Sequence, residues 1–467
     1  MNQRSRYLFK NMGILTISNF ASKILVLLLV PLYTSTLSTV EYGTYDLVVS
    51  TVTLLLPLLT LNIIDAMMRF LMDKSYVEKE IVSIGIKYVF LSIYIVGLML
   101  FIVHCLNIFP ALAGLKGYLF FYFLAYVLNQ FFIQLAKGLE RVQDMGIAGV
   151  LGTIVMLGAN ILFLLVFKAG LAGFFIANIL AQAIPVLYYF IRLRFWTYLA
   201  RISRNKKLEK EMLIYCLPLI CTTLGWWINS ASDKYVVTFI CGLAANGILG
   251  VSYKVPGMIN TLHGIFTQAW QISAIKEYGG NDTSVFYGKC FSYVNLITSA
   301  ACSWAIILSK PLAHFLYAND FYVAWQYVPF LLVSCVLNGS SGFIGPILSA
   351  QKDSKSMAMS AVYGASVNLV LNIVLVYFIG VQGATIATVV SSFIIYYVRK
   401  KAVGNELKVE NYWKILLTWG LLAVQAAMEI YFSAWYAEIG LMVVLLVLNW
   451  SILAEVAGMF IKKKYRY

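Results

Sequence analysis

The chain has 467 residues, of which 61% are hydrophobic and 12% are charged, and its mean hydropathy is +0.82. Because soluble domains carry about a quarter charged residues, this composition excludes a soluble protein and predicts a polytopic membrane protein. A net charge of +15 would indicate nucleic-acid binding in a soluble protein. Here the positive-inside rule accounts for most of that charge, and we expect no nucleic-acid partner.

Apolar runs that are long enough to cross a membrane recur from Phe9 to the end of the chain. A span needs roughly 20 residues to cross about 30 Å of hydrocarbon, so the sequence predicts an all-α fold of about fourteen transmembrane helices. The first run lacks a small-residue cleavage site before Pro31, and we expect it to be an uncleaved span. The predicted helices cover residues 9–36, 42–72, 80–107, 117–138, 146–167, 172–195, 211–238, 246–275, 285–308, 323–349, 356–379, 382–399, 412–432 and 437–461.

Lysine and arginine residues concentrate in alternate loops. Such an excess marks the cytoplasmic loops of multi-pass proteins, so an even number of spans predicts that both termini are cytoplasmic. The predicted outer loops hold only Lys116, Lys168 and Lys310. The predicted inner loops hold Lys74, Lys79, Lys137, Arg141, the segment from Arg192 to Lys210, Lys352, Lys355, Arg399, Lys400, Lys401, Lys408 and the tail residues Lys462, Lys463, Lys464 and Arg466.

Three pairs of similar segments indicate that the chain is built twice. Six spans in each repeat and the same starting side imply parallel repeats related by an axis along the membrane normal. In such proteins the substrate site lies between the two lobes. The matched residues are Gly43 with Gly250, Arg69 with Lys276, Asp144 with Asp353, Gly170 with Gly380 and Gly173 with Gly383.

The basic segment from Arg192 to Lys210 is the longest polar interruption and divides the chain into halves of similar span count. We predict that it links two pseudo-symmetric lobes and that the last two helices fall outside the repeat. The predicted domains are an N-terminal six-helix lobe over residues 1–200, a basic cytoplasmic linker over 201–210, a C-terminal six-helix lobe over 211–402, and two additional transmembrane helices with a basic cytoplasmic tail over 403–467.

The sequence contains no recognisable disulfide, metal or catalytic motif. Its seven cysteines show no C-x-x-C spacing and its three histidines show no H-E-x-x-H spacing. Every predicted outer loop is short, which disfavours a catalytic domain. We therefore expect no disulfide, no metal, no cofactor and no enzymatic activity.

Several motifs resemble those of the polysaccharide-transporter (Wzx-type) oligosaccharide flippases. The resemblance implies a fold similar to that of multidrug-and-toxin extruders and lipid II flippases, with two six-helix lobes in a V around a cavity. It also implies translocation of undecaprenyl-diphosphate-linked glycan across the bacterial inner membrane, with membrane lipids and other polysaccharide-assembly proteins as partners. The motifs are L-S-T-V-E-Y-G-T-Y-D from Leu37, S-A-S-D-K-Y from Ser230, G-V-S-Y-K-V-P from Gly250, F-T-Q-A-W-Q-I-S-A-I-K-E-Y from Phe266, A-W-Q-Y-V-P-F-L-L from Ala324, N-I-V-L-V from Asn372 and G-V-Q-G-A-T-I-A-T from Gly380.

The predicted spans hold more cations than anions. An ionisable side chain within a span costs roughly 3 kcal/mol on insertion scales, so it usually faces a partner or a watery cavity. Cations that line a cavity would offset the desolvation of a lipid diphosphate by Coulomb attraction and charge-assisted hydrogen bonds. The embedded cations are Lys23, Arg69, Lys87, Lys234 and Lys254, and the embedded anions are Asp46, Asp65 and Asp233.

Lys23 and Lys254 are the strongest candidates for contact with the substrate, followed by Lys234 and Arg69. Lys23 lies about 20 Å along its helix from Lys10, which favours a cavity over snorkelling to the interface. Lys254 lies about two turns inside its helix. Lys87 is shallow, and we expect it to snorkel.

Five residues are candidates for supporting or coupling roles, each with a structural alternative. Asp65 lies four residues before Arg69, a spacing that predicts an ion pair, and such a pair fits a structural clasp as well as substrate contact. Asp233 and Lys234 also fit an interfacial pair. The five candidates are Asp46, Asp65, Asp233, His263 and Lys276; His263 fits a packing role better than a proton relay, and Lys276 fits the positive-inside rule.

The leading hypothesis is a flippase that moves an O-antigen, capsule or similar repeat unit of polysaccharide biosynthesis, including that of lipopolysaccharide, to the outer leaflet by alternating access. A multidrug extruder of the same fold is the first alternative, and it would favour embedded carboxylates and aromatic residues that hold cationic drugs. A membrane-embedded polymerase or acyltransferase is the second. That class would show a large outer loop or a catalytic constellation of His, Arg or Asp.

Overall fold

The computed structural model describes residues 23–73, 75–106, 114–199, 205–280, 282–432 and 434–455, and every regular element within those ranges is a helix. The chain divides into two compact units, Met1–Trp227 and Ile228–Tyr467. The predictions for the start of the first span, for Lys74, for residues 200–204 and for the basic tail lie outside the described residues.

The helices of unit 1 follow the predicted spans closely, with one break. Ser38 and Glu41 form a capping box that starts the second helix, since the Glu41 N–H donates to Ser38 Oγ over 3.2 Å and the Ser38 N–H donates to Glu41 Oε2 over 2.8 Å. The predicted helix 42–72 is broken at residues 60–62, where Asn62 adopts a left-handed φ of 55°. The elements are α1 (Lys23–Thr36), α2 (Thr39–Leu59), α3 (Ile63–Leu71), α4 (Glu78–Cys105), α5 (Lys116–Gly138), α6 (Val142–Asn160, continued by a π-helix over Ile161–Val166), α7 (Gly170–Arg192), α8 (Trp196–Leu199) and α9 (Lys206–Cys241, which runs into unit 2).

Aromatic side chains fill much of the core of unit 1. Phe132 of α5 stacks on Tyr189 of α7, with ring centroids 6.1 Å apart, and meets the edge of Phe195 at 4.8 Å. Near α1, Tyr33 stacks on Tyr42 at 5.0 Å. These buried rings hold α1, α2, α5 and α7 by hydrophobic burial and ring packing.

Unit 2 has its own aromatic core. Trp270 stacks on Phe343 with centroids 4.2 Å apart, and its Nε1–H donates to the Phe343 carbonyl over 2.9 Å. The predicted helix 246–275 breaks at Tyr253, because Pro256 removes an N–H and its ring crowds the carbonyl of Ser252. The elements are α10 (Leu243–Ser252), α11 (Lys254–Glu277), α12 (Thr283–Ile307), α13 (Ser309–Leu316), a 3-10 helix (Asn319–Tyr327), α14 (Val328–Ala350), α15 (Ser354–Ile379), α16 (Val381–Val403) and, after a short 3-10 turn, α17 (Tyr412–Tyr431) and α18 (Trp435–Leu448).

Three consecutive helices in each unit have nearly the same lengths. In unit 1, α5 has 23 residues, α6 with its π-helical end has 25, and α7 has 23. In unit 2, α14 has 23 residues, α15 has 26 and α16 has 23. The internal similarity detected in the sequence therefore coincides with matching helix dimensions.

The turns between these helices share a backbone conformation. Glu140 and Lys352 are both left-handed, with φ of 56° and 61°. The following N–H closes each turn, from Arg141 to the Ala136 carbonyl over 2.8 Å in one copy and from Asp353 to the Leu348 carbonyl over 2.9 Å in the other. These turns align Arg141 with Asp353, so the sequence alignment of Asp144 with Asp353 was three residues out of register.

The repeated glycine motif has a backbone explanation. Gly170 and Gly380 have φ of 53° and 62°, a conformation that favours glycine. Three residues later, a Cβ added to Gly173 would lie 2.9 Å from Phe163 Cβ, and one added to Gly383 would overlap the backbone of Leu375. The first glycine of each motif thus permits the turn, and the second permits close approach to the preceding helix.

The multi-pass, all-α architecture is confirmed. Within the described ranges, ten helices are long and apolar enough to cross a membrane, or up to eleven if the two segments of the bent helix α9 form one span. Three shorter helices, α1, α10 and α18, are also apolar. The number of about fourteen spans stays a prediction.

Candidate functional site

The two residues of unit 1 that are predicted to contact the substrate, Lys23 and Arg69, are exposed and belong to different helices. Lys23 lies in α1, and Arg69 lies in the last turn of α3. Their exposure fits contact with an aqueous cavity and also fits a position at the membrane surface. Their roles stay predictions.

Asp65 has a partner other than Arg69. Gln134 Nε2 of α5 donates to Asp65 Oδ1 over 2.5 Å, and no ion pair joins Asp65 to Arg69 in the part of the chain that the structure describes. Asp65 is half-buried against α5 while Arg69, one turn later, is exposed. The structure thus differs from the expected clasp within α3: Asp65 ties α3 to α5 instead.

Arg69 lies beside the loop that follows α3. In that loop the Ser75 hydroxyl and N–H donate to Asp73 Oδ1 over 2.7 and 3.1 Å. These two hydrogen bonds, with a smaller contribution from Arg69, hold the pKa of Asp73 below its usual range. Arg69, in the last turn of α3, therefore interacts electrostatically with the Asp73 carboxylate.

Asp46 lies inside unit 1, on α2. Its side chain is buried, and the neighbouring Tyr45 ring packs against Phe174 of α7 with centroids 4.4 Å apart. The sequence places Asp46 among the embedded anions, and the structure buries its side chain within unit 1. A supporting role for Asp46 stays a prediction.

Asp233 is the centre of the polar group at the start of unit 2. Its side chain is 3% exposed, the Tyr253 hydroxyl donates to Oδ2, and the Lys234 N–H donates to Oδ1 over 2.9 Å. Tyr253 is the residue at which α10 gives way to α11, and Lys254 begins α11. Asp233 therefore contacts Tyr253, the residue that directly precedes Lys254. Lys234 and Lys254 are both half-buried.

A chain of buried amides and hydroxyls continues the polar group across three helices. Ser232 Oγ of α9 donates to Asn368 Oδ1 over 3.1 Å, and Asn372 Nδ2 donates to the same oxygen over 2.9 Å. Asn368 Nδ2 donates to Ser391 Oγ of α16 over 3.2 Å. Sequence analysis missed these residues because they carry no charge, although two asparagines four residues apart in an apolar helix were a usable signal.

His263 lies between helices of unit 2. Its Nε2 lies 2.7 Å from Thr298 Oγ1 of α12, and a Cβ added to Gly339 of α14 would overlap the imidazole ring. The ring thus fills the space where α11, α12 and α14 meet, and its role in packing or in a proton relay stays a prediction. Lys276 is exposed in the last turn of α11.

Arg399 and Lys87 contact side chains of other helices. Arg399 was assigned to an inner loop, but it lies within α16 and is 5% exposed; its Nε donates to Ser360 Oγ over 3.0 Å and its Nη1 to the Ser341 carbonyl over 2.9 Å. Lys87, which is predicted to snorkel, is exposed, and its Nζ lies 2.6 Å from Glu209 Oε1. Both cations join helices within their units.

Side chains that could bind ions form few clusters in the described residues. No group of three or more His, Cys, Asp or Glu side chains there is arranged to hold a metal ion. A polar surface cavity of about 470 Å³ in unit 1 is lined by Arg141, Arg192 and Arg194 together with Glu78 and Tyr198. None of the predicted substrate-contacting residues lines that cavity.

Comparison with known structures identifies the fold. The lipid II flippase MurJ in an inward closed conformation matches with a TM-score of 0.70 and 16% identity, covering 94% of this chain and 98% of that one. An inward-facing multidrug resistance MATE family transporter of the MOP superfamily matches with a TM-score of 0.66 and 13% identity over 84% and 95%. A MOP superfamily transporter from Pyrococcus furiosus matches with a TM-score of 0.52 and 14% identity over 85% and 94%.

Sequence comparison identifies the family. No curated protein sequence matches the chain at a significant level. The family model described as polysaccharide biosynthesis protein matches residues 8–272, which is more than half of the chain. The proteins that share the fold are a lipid II flippase and a multidrug resistance transporter. The chain is thus a multi-pass membrane protein that belongs to the polysaccharide biosynthesis protein family and has the fold of the MurJ and MATE transporters.

Proposed function

We propose that the protein translocates an undecaprenyl-diphosphate-linked oligosaccharide, such as an O-antigen or capsule repeat unit, from the inner to the outer leaflet of the bacterial inner membrane by alternating access. Membership of the polysaccharide biosynthesis protein family is the observation that carries this proposal. A fold shared with a lipid II flippase supports it, because that protein also moves a lipid-linked substrate.

The proposal assigns the substrate diphosphate to the cations Lys23, Lys254, Lys234 and Arg69. Each of them is exposed or half-buried, so none is enclosed by the rest of the described chain. An ammonium group contacts a phosphate as a point charge, which suits a substrate that must bind and then leave. The undecaprenyl chain would remain in contact with membrane lipids, and further polysaccharide-assembly proteins would supply and consume the substrate.

Asp233 is the proposed coupling residue. It is buried, and it accepts a hydrogen bond from Tyr253, the residue that directly precedes Lys254. A change in its charge would therefore alter both the helix break at Tyr253 and the field at Lys254. We assign supporting roles to Asp46, Asp65, His263 and Lys276.

The proposed arrangement in the membrane follows the distribution of charge. Both termini and the segment from Arg192 to Lys210 are assigned to the cytoplasm. Residues 1–200 and 211–402 are proposed to be two six-helix lobes joined by the basic linker 201–210. The helices α17 and α18 form the additional pair within residues 403–467.

Depletion of the protein tests the proposal directly. Cells that lose a flippase should accumulate the lipid-linked oligosaccharide on the inner leaflet, and the wild-type gene should reverse this. Lys23→Gln and Lys254→Gln should fail to reverse it at equal protein level, whereas Lys355→Gln, which changes an exposed lysine in the first turn of α15, should succeed. A normal amount of lipid-linked oligosaccharide in depleted cells would reject the proposal.

The multidrug extruder is the alternative that shares this fold. In that case depletion would sensitise cells to cationic dyes without accumulation of lipid-linked oligosaccharide. Loss of an embedded cation would then leave dye export unchanged or improved, since like charges repel. Dye export and lipid-linked oligosaccharide should therefore be measured in the same Gln variants.

A further inference from the structure

Glu438 of α18 is buried in surroundings that do not suit a carboxylate. Its side chain is 0% exposed, and neither carboxyl oxygen has a hydrogen-bond donor among the residues that the structure describes. An ionised carboxylate without donors is very costly to bury, and such groups usually take up a proton instead. Glu438 thus has the surroundings of a neutral carboxylic acid.

A second carboxyl group lies beside it. Glu429 of α17 is 4% exposed and interacts with the Glu438 carboxyl group, and Gln425, one turn before Glu429, donates to the Glu438 backbone carbonyl over 3.5 Å. Unlike Glu438, Glu429 has donors: Ser309 Oγ lies 2.9 Å and Lys310 Nζ lies 3.7 Å from its Oε1. Glu429 is therefore the member of the pair that is equipped to carry the negative charge.

The charged groups around Glu429 and Glu438 favour a state in which only one of the two carboxyl groups is ionised. The charged groups that face Glu438 are Glu429 from α17 and Lys310 from α13. Lys310 also lies over the Trp325 ring, with its Nζ 4.4 Å from the ring centroid. One ammonium balances one carboxylate, and two adjacent buried carboxylates repel each other strongly.

The position of the pair is also specific. Glu429 lies within one turn of the end of α17, and Glu438 lies in the first turn of α18. The loop between them is predicted to face the outer side of the membrane. Gln425 fixes this end of the hairpin further, because its Oε1 accepts a hydrogen bond from Ser303 Oγ of α12 over 2.8 Å.

We propose that Glu429 and Glu438 form a proton-binding site in the α17–α18 hairpin. In this site Glu438 is protonated at neutral pH, and its carboxyl O–H donates a hydrogen bond to the Glu429 carboxylate. Release of that proton to water would leave two carboxylates facing one ammonium, and the hairpin would then loosen from α12 and α13. The site is separate from the proposed substrate cations and does not depend on the identity of the substrate.

Infrared difference spectroscopy of the purified full-length protein tests for the proton. The wild type at neutral pH should show the carbonyl stretch of a protonated carboxylic acid, and Glu438→Gln should remove that band. The control Glu455→Gln should keep it, because Glu455 is exposed and lies 3.8 Å from Lys289. A wild-type spectrum without a protonated acid band, or a band unchanged in Glu438→Gln, would overturn the proposal.

Thermal unfolding at different pH values provides an independent measurement. The folded protein binds one proton more than the unfolded chain between the pKa values of the two states, so the folding equilibrium should weaken roughly tenfold per pH unit in that range. The unfolding temperature of the wild type should therefore fall from about pH 5 to about pH 8 more steeply than that of Glu438→Gln or Glu429→Gln. Equal slopes in the wild type and both variants would contradict the site even if a variant folds poorly at every pH.

Discussion

Gly383 in the first turn of α16 lies directly against the backbone of Leu375 near the end of α15, with no room between them for a side chain. Gly383→Ala should destabilise the protein by about 1–3 kcal/mol, because the added methyl group must push the two helices apart. Thermal unfolding of the purified protein measures this. Gly420→Ala, in a helix where an added Cβ meets nothing within 4 Å, is the matched control and should be neutral or stabilising. Equal stability of the two variants would show that α15 and α16 are not packed this closely.

His263 and Gly339 form a second close contact, which tests the packing role of the histidine. Gly339→Ala should cost about 1–3 kcal/mol because the methyl group would overlap the imidazole ring. Combining it with His263→Ala should recover part of that loss, since the smaller side chain makes room. Gly342→Ala on the same helix makes only an ordinary contact, 3.8 Å from Thr267 Oγ1, and serves as the control. If His263→Gln abolishes transport at normal stability, His263 is part of a relay rather than a packing residue.

The hydrogen bond from Tyr253 to Asp233 should matter for both stability and transport. Tyr253→Phe removes a donor from a buried carboxylate and should cost about 1.5–3 kcal/mol. Thermal unfolding measures the stability, and the reversal of lipid-linked oligosaccharide accumulation measures transport. Tyr397→Phe changes an exposed tyrosine of α16 and should have little effect. Wild-type stability in Tyr253→Phe would mean that Asp233 is held by its other contacts.

The proposed substrate cations should depend on charge more than on shape. Lys23→Arg and Lys254→Arg keep the positive charge and should retain part of the transport activity, whereas Lys23→Gln and Lys254→Gln should lose most of it. Accumulation of lipid-linked oligosaccharide in complemented cells provides the measurement, with membrane protein levels compared in parallel. Full activity of both Gln variants would remove these lysines from the substrate path.

The predicted orientation can be tested with introduced cysteines. Lys168 and Arg194 are both exposed, and the charge pattern assigns them to opposite sides of the membrane. In a cysteine-free background, a membrane-impermeant reagent added to intact cells should label Lys168→Cys and leave Arg194→Cys unlabelled. The exposed native residues Cys105 and Cys241 must be replaced first. Labelling of Arg194→Cys alone would invert the topology.

Hydropathy predicts most of the helix positions in this protein, because burial in lipid demands long apolar runs and the structure ends those runs within a few residues of the expected places. The breaks at Asn62 and Tyr253 were missed, since a turn of a few residues hardly changes the hydropathy of a long window. Pro256 was the available sign of the second break, through its effect on the carbonyl of Ser252.

The candidate site was predicted only in its charged members. Asp233, Lys234 and Lys254 stood out because charge is rare in apolar runs, whereas Asn368 did not. Glu438 lies close to the end of a predicted span, where a carboxylate ordinarily reaches water, so its complete burial could not be read from the chain. Contacts between helices distant in sequence determine which of these polar residues are enclosed.

The left-handed turns at Glu140 and Lys352 show which property of these positions the two helical hairpins require. The two residues have opposite charges, yet their φ values differ by only a few degrees and the same hydrogen bond closes each turn. The turn therefore depends on the backbone conformation and not on the charge of the side chain at this position. Replacing Glu140 or Lys352 with asparagine or glycine, which accept a left-handed φ, should thus leave each helical hairpin in place.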